Sequence, residues 1–311
     1  MKNSVIIAAL ALAMASTVAQ AANISSAPGG GLWSAGTTWT GGIVPGETPA
    51  VADVARIVNT SLVTLNYTPT YALGNVQIGR TTGGAGNLEV TTGGVLNMTL
   101  GSNMEVGSQT VGTLLLSGGT LNVLSALNIS AAATTTSGSF LTVNSGNLNV
   151  GTALAVGKFA PGTLTINGGS VVANTMPVGA VGINSSASLL GGSLQLGALL
   201  NPLTFNSAGS TLTIANAATL TLGGNQNTAI AGFASGNLLW ATGSSPLGGL
   251  YGTGDQTFDN GAGSYLHSFF DSGVNKTYVW VDLVPVPEPT ALSLAVLGGI
   301  VLLAGRRMRR S

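Results

Sequence analysis

The chain carries one histidine, His267, in the segment SYLHSFF, with Asp271 four positions further on. A histidine and a carboxylate could do general acid–base work, yet a hydrolase also needs an aligned nucleophile. Cysteine is absent, which removes thiol nucleophiles and thiolate metal sites. There is no Gly-x-Ser-x-Gly elbow, no phosphate loop and no zinc-ligand spacing. The segment DQTFDNG from Asp255 is faintly like a calcium loop, without the acidic residue that closes an EF-hand. Cleavage of acidic polysaccharides generally needs clustered carboxylates, often with calcium, and a base. Arg80, Glu89, Glu105 and Lys158 are instead spread along the chain. Stacking of repeats could bring Glu105 near Arg80, because Ile78 and Val106 hold equivalent places. The expectation is a structural His267, no catalytic residues, no metal and no cofactor.

Charge narrows the partners. Between Asn3 and Leu283 the basic side chains are Arg56, Arg80, Lys158 and Lys276, against eight acidic ones. The body therefore carries about −4 and offers no footprint for a phosphate backbone. Nucleic acid is not an expected partner. With 45% hydrophobic residues, the chain is too apolar for disorder driven by charge and low hydrophobicity.

The elements that would position any site repeat themselves. Similar lines begin at Gly86 (GNLEVTTGGVLNM), Gly112 (GTLLLSGGTLNV), Ser139 (SFLTVNSGNLNV), Gly162 (GTLTINGGSVVA), Ala187 (ASLLGGSLQL) and Ser210 (STLTIANAATLTL). A second motif lies between them: VQIG at Val76, MEVG at Met104, LNIS at Leu127, LAVG at Leu154 and MPVG at Met176. Each repeat thus holds three short runs alternating apolar with other residues, as strands with one buried face require. Gly-Gly and Asn-Gly pairs supply positive φ at the corners. The expected fold is all-β, a parallel β-helix, or solenoid, with coils of about 23–28 residues. A β-propeller is disfavoured because its blades need about 40 residues. Asn97, Asn122 and Asn149 occupy similar places in their copies. They either form a ladder or simply face water, and water is the preferred reading. The repeats also resemble the strand repeats of autotransporter passenger domains.

Both ends of the rod need covers. Before the repeats, Trp33, Trp39, Pro45, Gly46 and Asp53 resemble the opening segment of many exported repeat proteins. Both tryptophans are expected to cover the first coil, with a sugar-stacking pair as the alternative. Residues 228–283 hold nine of the sixteen aromatics, Trp240 among them. That density suggests a C-terminal cap, or an aromatic glycan-binding face. TYVWVDL from Thr277 is the expected last strand.

The termini read as addresses. Lys2, the apolar run Val5 to Met14 and Ala19-Gln20-Ala21 have the order of an export leader. Cleavage is expected between Ala21 and Ala22. At the other end, Thr290 to Gly305 contains no charge and is followed by Arg306, Arg307, Arg309 and Arg310. As a helix this run would be about 24 Å long, short for a bilayer, with snorkelling arginines held on the cytoplasmic side.

Pro287-Glu288-Pro289, the apolar run and the arginine cluster together resemble the PEP-CTERM sorting signal of Gram-negative bacteria. That resemblance covers only about the last 25 residues. It implies recognition of Pro287, Glu288 and Pro289 by a membrane-embedded, exosortase-type processing enzyme. A plain membrane anchor is the alternative.

The expected organisation is a leader at 1–21, an N-terminal cap with first coils at 22–75 and solenoid repeats at 76–227. An aromatic-rich cap at 228–283 and a sorting or anchor segment at 284–311 follow. The expected role is that of an exported structural protein, first held in the inner membrane and then at the cell surface or in the extracellular matrix. A carbohydrate-binding adhesin contacting exopolysaccharide or other glycans is second, and a polysaccharide-degrading enzyme a distant third.

Overall fold

The computed structural model describes residues 21–48, 52–80, 84–99, 101–132, 138–215, 217–236, 238–242, 256–259 and 264–283. Residues 1–20 of the leader, Ala19 among them, and the whole segment from Val284 through Pro287 and Arg310 to Ser311 lie outside the described residues.

Strands dominate, arranged as a β-solenoid of about six turns. One coil shows how the repeat folds. Met104–Val106 forms a short strand, the chain turns, and Gly112–Val123 forms a long one bent near Gly118 (φ 126°). The next coil repeats this with Leu127–Ile129 and Ser139–Val150, in parallel, the long strands shifting register around Ser145 at the bend. Met104, Leu127 and Leu154 are register partners on the first face. Leu114, Leu141 and Leu164 match on the second face, and Leu121, Leu148 and Val171 on the third. All nine are buried. Three apolar columns therefore meet along the axis, each fully buried aliphatic side chain contributing about 1.5–3 kcal/mol. The first face is an eight-stranded sheet beginning at Asn23–Ser25 and ending at Leu203–Phe205. The other two faces merge into one sixteen-stranded sheet because the long strands run through their bend. Parallel pairing thus starts well before the first clear sequence repeat.

The glycine closing MEVG, LAVG and MPVG has a steric reason. Gly107, Gly157 and Gly179 have φ of 76°, 78° and 74°, a region that side chains rarely adopt. A Cβ on Gly157 would also overlap the Ser185 hydroxyl. That hydroxyl accepts a hydrogen bond from Gly162 N at 3.1 Å. Ser130 takes the glycine's place in LNIS at φ 58°. Its hydroxyl donates to Pro161 O and accepts from Ser139 N at 3.1 Å.

The two ends are built differently. At the start, Trp33 and Trp39 pack edge to face, with centroids 4.8 Å apart. At the far end, the helix Asn227–Ser235 buries Ile230 and sets Phe233 against Phe205. The strand Lys276–Leu283 then adds to Ala218–Gly223 in antiparallel orientation, followed outward by Ser264–Asp271 and Gln256–Asp259. This reversal of direction breaks the parallel pattern. Leu239–Thr242 still pairs in parallel with Thr211–Ala215, so the solenoid reaches past the onset of the helix. Among the described residues, no helix is long and apolar enough to cross a membrane.

Candidate functional site

On the third face, outward positions alternate with the buried column, and register places Asn97, Asn122 and Asn149 in one row. Asn122 Nδ2 donates to Asn97 Oδ1 at 2.8 Å, and Asn149 Nδ2 donates to Asn122 Oδ1 at 2.8 Å. The preferred expectation, that these side chains simply face water, is corrected. They form an amide ladder while Asn97 and Asn149 remain exposed. Stacked coils force the arrangement, since identical side chains recur about every 4.8 Å across parallel strands. Val172 takes the next place and ends the row.

The ladder lines an open cavity of about 400 Å³, shared with Ala72, Leu124 and Val172. Leu124, at the rim, is 49% exposed. Asn122 uses one of its two N–H bonds and one of two lone pairs within the row, leaving one of each. Repeating donors and acceptors beside an apolar strip suit a ligand with repeating hydroxyls and C–H faces, such as a glycan strand.

Among the described residues, Arg80 and Glu105 come together while Glu89 and Lys158 lie elsewhere on the coils. Glu105 and Arg80 are brought near one another, as equivalent coil positions imply, with Gln77 between them. Gln77 Oε1 accepts from Arg56 Nε at 3.2 Å and from Arg80 Nη1, while Gln77 Nε2 donates to Glu105 Oε2 at 3.2 Å. Ser108 Oγ donates to the same carboxylate at 2.6 Å. Burial, with the nearby Arg80 charge, lowers the Arg56 pKa from its usual value. Glu89 lies on the second face, beside Leu115 rather than Glu105. The Lys158 ammonium stands 5.3 Å from the Phe159 ring centroid. Among the described residues, no group of three metal-ligating side chains forms.

His267 and Asp271 share one strand, so four positions separate them by about 13 Å. The Asp271 carboxylate instead caps its own turn, accepting from Gly273 N at 2.8 Å. His267 stacks on Trp280, with centroids 5.1 Å apart, and its Nδ1 lies 3.1 Å from Thr257 Oγ1. The faintly calcium-like segment contains the strand Gln256–Asp259, paired with Tyr265–Ser268.

At the N-terminal end, the residues singled out by resemblance form one cluster. Trp33 is 0% and Trp39 2% exposed, so neither offers a ring to a sugar, and the sugar-stacking alternative for this pair is set aside. Trp33 Nε1 donates to Pro45 O at 3.0 Å, and Trp39 Nε1 donates to Trp33 O at 2.7 Å. Gly46 N donates to Asp53 Oδ2 at 3.1 Å. The other oxygen, Asp53 Oδ1, accepts from Ala22 N at 3.4 Å. Sequence reasoning placed Asp53 in this opening segment but gave it no partner, because Ala22 is brought to it only by parallel pairing.

Beside this cluster, Glu47 accepts from Tyr67 Oη at 3.0 Å and from Thr70 Oγ1 at 2.7 Å. Slight desolvation would raise the Glu47 carboxyl, but hydrogen bonds from Thr70 and Tyr67 outweigh it and hold it below its usual value. Burial, and then the bond to Glu47, raise the Tyr67 phenol.

No protein-family model, curated protein or solved structure matches the chain.

Proposed function

We propose that this chain is an exported structural solenoid of the cell surface or extracellular matrix, carrying a PEP-CTERM signal processed by an exosortase-type enzyme. The observation that carries the reading is the order Pro287-Glu288-Pro289, apolar run, Arg306, Arg307, Arg309, Arg310, opposite an N-terminal export leader. A stiff rod with a continuous apolar core and outward amides supports a mechanical and presenting role. The same core would supply the stability without disulfides that a cysteine-free exported protein requires.

Terminal peptide mapping by mass spectrometry tests the reading, on protein recovered separately from membranes and medium of the producing cell. A mature start at Ala22 and an end near Pro287 in released or outer-surface material are expected. Intact Arg310 and Ser311 in the inner-membrane fraction would overturn the sorting proposal and make the tail a permanent anchor.

A second reading is favoured by the groove along Asn97, Asn122 and Asn149: an adhesin that binds glycans through outward amides. A glycan array probed with the mature protein tests it. Binding that Asn122→Ala abolishes supports the adhesin, and binding unchanged by that substitution removes the groove from consideration.

A further inference from the structure

We propose that the carboxylate of Asp53 is a built receptor for the α-ammonium released at Ala22, so that leader removal completes the N-terminal cap of the solenoid. The inference rests on the cleavage reading above and goes beyond it. Asp53 is 1% exposed, and a buried carboxylate without a cation is costly. Among the described residues, the hydrogen bonds to its side chain come from two backbone N–H groups, Gly46 and Ala22. One of these belongs to the first residue after the expected scissile bond.

The geometry fits a site made for a chain end. Ala21 is exposed and Ala22 half-buried, so a protease reaches the bond while its product stays in place. Ala22 is held independently of its nitrogen: its carbonyl accepts from Val54 N at 2.8 Å, and Asn23–Ser25 pairs with Val54–Arg56. Gly46 cannot be exchanged freely, because φ is 82° and a Cβ there would stand 2.8 Å from the Pro69 ring. The loop that presents the second donor therefore depends on glycine at 46.

Hydrolysis adds water across the Ala21–Ala22 peptide bond. The C–N bond breaks, hydroxyl goes to the Ala21 carbonyl carbon, and the released Ala22 amine takes up a proton at neutral pH. A single amide donor at Asp53 Oδ1 becomes a cation with three donors, and a hydrogen bond becomes an ion pair.

The test compares how fast the Ala22 amine is acylated in native and urea-unfolded mature protein, after its N-terminus has been mapped. Lys158 and Lys276 in the same molecule report reagent strength. An opposite charge this close raises an amine's pKa by about one or more, which lowers the reactive free base roughly tenfold. A native rate at least about tenfold below the unfolded rate is expected, with Asp53→Asn restoring it. A chain retaining Ala21 moves its amine away from the carboxylate and should react at nearly the unfolded rate, a control independent of whether Asp53→Asn folds. A protected amine in both the Ala21-retaining chain and the mature one would overturn the pairing alone. Equal native and unfolded rates at Ala22 would do the same. A mature start other than Ala22 would overturn the cleavage reading and this proposal together.

Discussion

Asn122 donates to Asn97 and accepts from Asn149, so one substitution touches two coils. Asn122→Asp replaces the donor with a second acceptor facing Asn97 Oδ1. A stability loss of about 1 kcal/mol is expected, the usual net worth of one such bond, read from the shift in urea midpoint. Glu47 makes a pH prediction. Its folded pKa is depressed, so its contribution is present above the unfolded value of about 4.5 and is lost as pH falls through the lower folded value. The sign reverses for Tyr67, whose folded pKa is raised. Its contribution is present below about pH 10 and is lost as pH rises through the folded value. Because Glu47 is exposed, its effect is small and weakens with salt. Comparing acid midpoints of the wild type and Glu47→Gln checks it. The variant should lose less stability between neutral and acid pH.

At the scale of a coil, corner and column matter more than any surface group. Gly157 and Gly182 have nearly the same φ, 78° and 76°. A Cβ at Gly182 meets nothing within 4 Å, whereas at Gly157 it overlaps Ser185. Alanine at 182 should therefore cost only the backbone term of about 1–2 kcal/mol. Alanine at 157 should cost clearly more, because Ser185 must abandon Gly162 N. Denaturant titration of both variants separates strain from collision. In the core, Leu121→Ala should cost about 2–5 kcal/mol, since its register partners Leu96 and Leu148 sit in neighbouring coils and cannot both close the gap.

For the whole molecule, the edges are the vulnerable parts. A parallel stack presents unpaired backbone groups at each end and adds further strands unless stopped. The Trp33–Trp39 pair lies at one end, and the helix Asn227–Ser235 with the antiparallel strands Ser264–Asp271 and Lys276–Leu283 at the other, and we expect them to act as edge guards. Ending the chain before Asn227 uncovers Ala218–Gly223 and the surface under Phe233. The expected outcome is concentration-dependent self-association of a chain from Ala22 to Gln226, visible by light scattering, while a chain from Ala22 to Leu283 stays monodisperse. Equal scattering from both would show that the C-terminal elements are not needed as an edge guard.

Much of the architecture was legible because it is local. Alternation within Leu164-Thr165-Ile166 decides which side chains turn inward, and a glycine after Val156 permits the corner. Repetition of that unit leaves a stack as the economical way to bury every face. The aromatic density after Asn227 suggested a cover, but only stacking brings Phe233 of this region against Phe205 of the last coil on the first face. Tertiary structure alone decided what depends on register between distant segments. Asparagines 25 and 27 residues apart became a hydrogen-bonded row. His267 and Asp271, neighbours in sequence, were separated by an extended strand. Ala22 and Asp53, 31 residues apart, were brought together because parallel pairing joins the start of one coil to the start of the next. The physical reason is common to all three: a side chain's face follows from its own strand, but its neighbour follows from how the coils stack.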